Sequence, residues 1–305
     1  MSGEETLWNL MRGALTARAL AIVADLGIAE ALAQGPQRVD DDVTYRLLRA
    51  LASDGVFEEV EPRVFRNTEA SALLLRGSGW NDFAHLFGGI WFRAIAELEA
   101  RGESTFPRVF GDDFWSWLAA HPDERASFDR AMEQGKERRL ERLDGVGWRG
   151  NELVVDVGGG NGTFLRLLLA RHPNMRGIVF DLPETVRDQS TFGERLTFIA
   201  GSFFEAVPPA DVYILGTILH DWDDEHATKI LRTIRAAASD DSRLLLLEGV
   251  VRPGNEPDGA KWLDLLMLTL FAGRERDEAQ WRELLERGGW RAERFGEGLI
   301  EARCR

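Results

Sequence analysis

Five apolar runs in the second half of the chain each lead to a polar residue: Asp156 after ELVV, Asp181 after GIVF, Ser202 after LTFIAG, His220 after DVYILGTIL and Glu248 after RLLLL. In an open α/β sheet, ligands bind outside the carboxyl ends of the strands, so these runs aim their polar ends at one crevice. Any single Asp or Ser there has an ordinary use as a turn or helix cap. Five in series argue for a site, with carboxylates to accept hydrogen bonds and one imidazole to move a proton.

The loop DVGGGNG, Asp156 to Gly162, joins the first strand to the first helix. Glycines there permit a tight turn and close approach of a ligand to the backbone. Asp181, an acid further on, is placed to hydrogen-bond a ribose diol, which implies a nucleoside cofactor. The dinucleotide fingerprint GxGxxG fails in both registers, because Gly158 and Gly160 are followed by Thr163, and Gly160 and Gly162 by Leu165. No GKS or GKT phosphate loop exists either, so the dehydrogenase and nucleotide-hydrolase readings weaken.

These residues need a scaffold, and from Asn151 onward strands and helices alternate. The strands are ELVVDVG, GIVFD, LTFIAG, DVYILG and RLLLLEGV, with two more near Trp290 to Phe295 and Gly298 to Cys304. Alternation of this kind predicts a mainly parallel seven-stranded sheet covered by helices, a Rossmann-like α/β domain over 144–305. Residues 79–143 read as helices rich in Trp and Phe, mostly core, with some rings able to border a planar substrate. At the start, Leu7, Leu10, Met11, Leu15, Ala19, Ile22, Val23 and Leu26 recur at helical spacing, interrupted near Gly13 and Gly27. A helix over Tyr45 to Ser53 and two short strands about Glu61-Pro62 complete a winged-helix shape over 1–78.

A winged helix invites a DNA-binding reading, which charge opposes. Residues 1–78 hold eight arginines, no lysine and twelve acids, and the whole chain of 305 residues carries a formal charge of −14. Phosphate backbones are bound by clustered cations. Packing or dimerisation is the better use of this segment. Cys304 is the only cysteine, which excludes an intrachain disulfide and a cysteine metal site and suits a reducing compartment. The acidic N-terminus does not read as a secretory signal, and Asn9, Arg12, Arg18 and Asp25 interrupt the apolar stretch too often for a membrane span. The expectation is a cytoplasmic protein without membrane or nucleic-acid partners.

LHDWDDEHATKIL, with DVGGGNG, VFDLP, LLLLEGVV and LMLTLFAGRERDEAQW, resembles the class I S-adenosylmethionine-dependent small-molecule O-methyltransferases, typified by plant caffeic acid and isoflavone enzymes and bacterial polyketide and phenazine enzymes. The likeness covers nearly the whole chain, and LGIAEAL with RLLRALASDGVFEE resembles that family's N-terminal dimerisation domain. It implies domains at 1–78 and 79–305, a homodimer, S-adenosylmethionine as cofactor, and a small aromatic acceptor bearing a hydroxyl. It further implies His220 as general base bracketed by Glu248 and Glu275. Cofactor contacts are expected from Asp156, Gly158, Gly160, Asp181, Leu182, Ser202, Phe203 and Gly216. Phe128, Met132, Met267 and Phe271 are expected to border the substrate, together with Trp262 and Asp264 on the same helix as Met267.

Three departures stand out. Plant members carry Asp at the equivalent of Ser202 and Lys at that of Gly216. The stretch from Pro36 to Thr44 looks short. Asp277 replaces the usual threonine of an ERT motif, yet with Gln280 three residues on it can form a capping box.

A phenol titrates near ~10 and a histidine near ~6.5, so proton transfer between them is uphill by about 5 kcal/mol. A sulfonium about 4 Å away returns roughly 4 kcal/mol at an effective dielectric of ~20. A glutamate on one ring nitrogen would orient His220 and stabilise its protonated form. The run His220, Asp221, Asp223, Asp224 and His226 also has metal-ligand types, but acids in a helix's first turn suit its dipole, and no metal is expected. The alternative within the family is a hydroxylase-like member that binds the cofactor without transferring methyl; such members have lost the base.

Overall fold

The computed structural model describes residues 2–100, 102–186 and 193–305. The chain divides into two compact units, Met1–Leu98 with Thr105–Gln134, and Glu99–Ser104 with Gly135–Arg305. Among the described residues, no helix is long and apolar enough to cross a membrane.

In the first unit, the helical pattern of 7–32 forms three helices, Gly3–Met11, Gly13–Asp25 and Ile28–Ala31. The break before the third falls at Gly27, whose φ of 65° is a left-handed conformation that suits glycine. Asp41 caps the helix Asp42–Ser53 by accepting from the Thr44 amide at 2.7 Å. The wing is a three-stranded sheet, β1 (Gln37–Arg38), β2 (Phe57–Glu61) and β3 (Val64–Asn67), in the order β1-β3-β2. The hairpin about Glu61-Pro62 matches the sequence reading; β1, in the short stretch after Pro36, adds a strand the reading lacked. Val23, Leu48, Leu51, Phe57 and Phe65 make this unit's core.

Helix Gly3–Met11 buries none of its residues, and Leu7, Trp8, Leu10, Met11 and Leu15 form an apolar row 62–75% exposed within the chain. Helix Trp80–Gly88 lies against Gly13–Asp25 so closely that a Cβ on Gly88 would stand 2.5 Å from the Ala21 Cβ. That contact draws residues beyond the 78/79 sequence boundary into the first compact unit. Most aromatics of 106–128 pack on one another, as with Phe106 and Phe114, both buried, with ring centroids 5.0 Å apart.

The second unit is built on a seven-stranded sheet of β4 (Leu153–Val157), β5 (Arg176–Asp181), β6 (Leu196–Ala200), β7 (Val212–Gly216), β8 (Arg243–Leu247), β9 (Trp290–Gly296) and β10 (Leu299–Cys304). The order is β6-β5-β4-β7-β8-β10-β9. Strands β4 to β8 pair in parallel, and β10 runs antiparallel to β8 and β9. Alternate residues enter different cores: Val155, Tyr213, Leu215, Leu244 and Leu246 on one face, Val154, Val212, Ile214, Leu245 and Leu247 on the other. Burial on both faces is why these strands read as continuous apolar runs. The order reverses at β4, between β5 and β7, and ligands bind at such a switch point.

Candidate active site

The carboxyl ends of β4 and β5 build a cradle. Gly158, Gly160 and Gly162 all have positive φ, of 74°, 61° and 75°. A Cβ on Gly158 would stand 2.5 Å from Ile218 Cδ1, whereas one on Gly160 would meet only open space. The loop is held from below by Asp181, whose Oδ2 accepts from the Gly160 amide at 2.8 Å and whose Oδ1 accepts from the Leu182 amide at 2.7 Å. Those bonds fix the Asp181 carboxylate beside the glycine loop. Leu182 itself is 38% exposed beside it.

Asp156 is buried, and burial pushes its carboxyl up to about 7; Asp181 adds to the rise while Lys136 and Arg139 oppose it. These two cations were invisible in the sequence, because they sit on the helix Lys136–Glu141, well ahead of the glycine motif. Lys136 Nζ donates to Asn161 Oδ1 at 2.9 Å. Arg139 Nη1 donates to Thr217 Oγ1 at 3.3 Å and lies 3.7 Å from where a Gly216 Cβ would be. Arg139 thus puts positive charge beside Gly216, the position at which plant members carry lysine. Past β6, Ser202 Oγ accepts from the Phe204 amide at 3.2 Å, and the Phe203 ring packs 6.1 Å from Trp222.

After β7 the chain turns sharply. Thr217 adopts φ 56°, costly for a β-branched residue and typical of functional turns. The 3₁₀ turn Leu219–Asp221 follows and carries His220, 7% exposed. Its Nδ1 is 2.6 Å from Glu275 Oε1 and 3.9 Å from Glu248 Oε2. The glutamates therefore differ: Glu275 Oε1 accepts the hydrogen bond from the ring Nδ1, while Glu248 Oε1 accepts from the Ile218 and Leu219 amides at 2.9 and 2.8 Å, bonding the turn itself. Among the described residues, Oε2 of each glutamate is buried without a hydrogen-bond partner. Glu275 is braced in turn, its amide donating to Asp264 Oδ1 at 2.8 Å.

Burial by itself would lower the His220 pKa, but Asp221, Glu248 and Glu275 outweigh it and push the ring up to about 10. Asp221, with Oδ1 3.3 Å from His220 Nε2, is pushed up to about 7 by burial, opposed by His220 and aided by the two glutamates. Burial likewise raises Glu248. With Nδ1 donating to Glu275, Nε2 is the nitrogen left to receive a proton. The surrounding carboxylates thus hold the His220 ring well above the ordinary histidine value.

The acids at the next helix are structural. Asp223 caps it, accepting from the His226 amide at 2.8 Å, and Asp224 pairs with Arg276 at 2.9 Å. Asp277 and Gln280 form the expected capping box. On helix Gly259–Phe271, Met267 is buried, Phe271 half-buried and Trp262 69% exposed. Phe128 and Met132 belong to the other compact unit, where the Phe128 ring lies 5.5 Å from that of Phe114.

A glycine cradle beside Asp181, at the switch point of a sheet with this order, belongs to the class I methyltransferase fold. Comparison with known proteins narrows the class. The O-methyltransferase domain family matches residues 92–291, and the O-methyltransferase dimerisation domain matches 8–77. The chain is 33% identical to the phenazine O-methyltransferase PhzM of Lysobacter antibioticus, over 97% of this chain and 95% of that one. It is 33% identical to the mitomycin biosynthesis 6-O-methyltransferase of Streptomyces lavendulae, over 96% and 90%. Among solved structures, LaPhzM superposes with a TM-score of 0.93 at 32% identity over the whole of both chains. NcsB1, solved with S-adenosyl-L-homocysteine and 1,4-dihydroxy-2-naphthoic acid, gives 0.80 at 28% identity over 95% and 96%. The chain belongs to the O-methyltransferase family and is an S-adenosylmethionine-dependent enzyme.

Proposed function

We propose that this enzyme methylates a hydroxyl of a small aromatic secondary metabolite, with His220 as general base. The observation that carries the reading is the 2.6 Å bond from the buried His220 ring to Glu275, at the end of the strand beside the glycine cradle. Relatives act on ring systems of this kind, including 3-amino-4-hydroxybenzoate. S-adenosylmethionine, when bound, supplies an electrophilic methyl on a positively charged sulfur.

The rest is work for the chain's own residues. His220 Nε2 takes the hydroxyl proton as the oxygen attacks, and Glu275 stabilises the imidazolium. The carboxylates around the ring raise its affinity for a proton, which lessens the uphill cost of that transfer. A further positive charge in the crevice opposes the imidazolium and favours the neutral ring, so the base is readied as the complex assembles. Asp156, Gly158, Gly160, Asp181, Leu182, Ser202, Phe203 and Gly216 hold the cofactor, with Lys136 and Arg139 adding positive charge. Met267, Phe271 and Trp262 border the acceptor, and Asp264 keeps Glu275 in place.

Incubating the purified protein with methyl-labelled S-adenosylmethionine and a panel of phenols should yield labelled ethers. Cofactor binding without transfer to any phenol would reject the reading. Dimerisation belongs to the same proposal: two chains cover the exposed row Leu7, Trp8, Leu10, Met11 and Leu15. Light scattering should return the mass of two chains, and Trp8→Asp with Leu10→Asp should return one; a wild-type monomer would contradict it.

A further inference from the structure

Arg276 follows Glu275 directly and is wholly buried. Its Nη1 donates to the Leu219 carbonyl at 3.0 Å and its Nη2 to the Trp222 carbonyl at 2.8 Å. Those two carbonyls bracket His220 and Asp221. Nη1 also reaches the Arg274 carbonyl at 3.3 Å, Nε donates to Asp224 Oδ1 at 2.9 Å, and the guanidinium lies 5.2 Å from the Trp281 ring centre. Burying a cation is costly unless its donors are met, and here each guanidinium nitrogen has an acceptor.

The turn needs such outside support. A 3₁₀ turn makes poorly aligned bonds, and its own are long, 3.2 Å from the Asp221 amide to the Ile218 carbonyl and 3.4 Å from the Trp222 amide to the Leu219 carbonyl. Glu248 holds its entering amides. The segment 273–276 holds its carbonyls: the Arg274 amide donates to the His220 carbonyl at 2.8 Å, and a Cβ on Gly273 would collide with that carbonyl and with the Asp221 backbone. Lysine could not replace the arginine, since one ammonium cannot span two carbonyls and a carboxylate as a planar fork does.

We propose that Arg276 is a positioning residue for methyl transfer, clamping the carbonyls on either side of the turn so that the His220 ring stays on Glu275. The proposal rests on the reading of His220 as base. Arg276→Lys is expected to lower kcat about 10- to 100-fold, the scale of a small misplacement of a reacting group. The dissociation constant for S-adenosylhomocysteine should stay within about twofold, because the glycine loop and Asp181 are held by bonds on β4 and β5 in which Arg276 takes no part. By nitrogen NMR, the titration of the His220 ring should move down from about 10 toward the ordinary histidine value. Should Arg276→Lys not fold, Asp224→Asn loosens the guanidinium from its exposed end, with a several-fold fall in kcat and a smaller shift of the same titration. Wild-type kcat with an unmoved His220 titration in either variant would overturn the clamp, as would equal losses of cofactor binding and turnover. A titration that moves while kcat does not would instead reject His220 as the base.

Discussion

His220→Ala lowers kcat/KM for the phenol acceptor by about 10²- to 10⁴-fold, the range a positioned general base contributes. The loss should sit in kcat, because the proton moves only as the carbon–oxygen bond forms. Affinity for S-adenosylhomocysteine should be retained, since Gly158, Gly160 and Asp181 hold their geometry through bonds on β4 and β5. Thermal melting supplies a second readout. The ring is more basic folded, at about 10, than at its ordinary 6.5, so its protonation stabilises the fold. That contribution is complete below pH 6.5 and disappears as pH rises through about 10. The variant should therefore melt below the wild type at pH 7, with the gap closing toward pH 10. Turnover at the wild-type rate would remove His220 from its role.

Glu275→Gln keeps an oxygen within reach of His220 Nδ1 but removes a charge from the 2.6 Å bond. A hydrogen bond to a charged partner contributes about 1.5–3 kcal/mol, so the plateau of kcat/KM should fall about 10- to 150-fold. The pH profile should move as well. With one of three carboxylates gone, the ring becomes less basic, and the acid limb shifts to lower pH as the neutral imidazole becomes available sooner. A lower plateau with a limb moved to acid separates loss of charge from general damage, which would depress the rate at every pH alike. An unmoved limb would detach Glu275 from the base and leave the long 3.9 Å approach of Glu248 as the ring's remaining glutamate partner.

Much of the scaffold was legible because it depends on local rules. The strands β4 to β8 are apolar along their length because helices cover both faces, and their polar ends mark the crevice. The wing follows from two short runs about Glu61-Pro62, and the capping box from an acid and a glutamine three apart. The strand β1 escaped the reading: two residues, Gln37 and Arg38, carry no pattern of their own and become a strand by pairing with β3. The first compact unit extends past residue 78 because Gly88 lets two helices touch. Nothing in the spacing of a lone glycine says what will lie against it.

The order of residues along the chain was sufficient to specify a glycine cradle, an acid beside it and an imidazole at the ends of neighbouring parallel strands. It did so because side-chain alternation and strand-end placement are set within a few residues. Folding decided how those groups behave. It gave Glu275 the ring and Glu248 the turn, brought Arg139 against Gly216, closed Arg276 over carbonyls 54 and 57 residues distant, and set three carboxylates around the imidazole that raise its pKa. Burial and charge act through space, so their outcome is fixed only when distant segments meet in a shared low-dielectric interior.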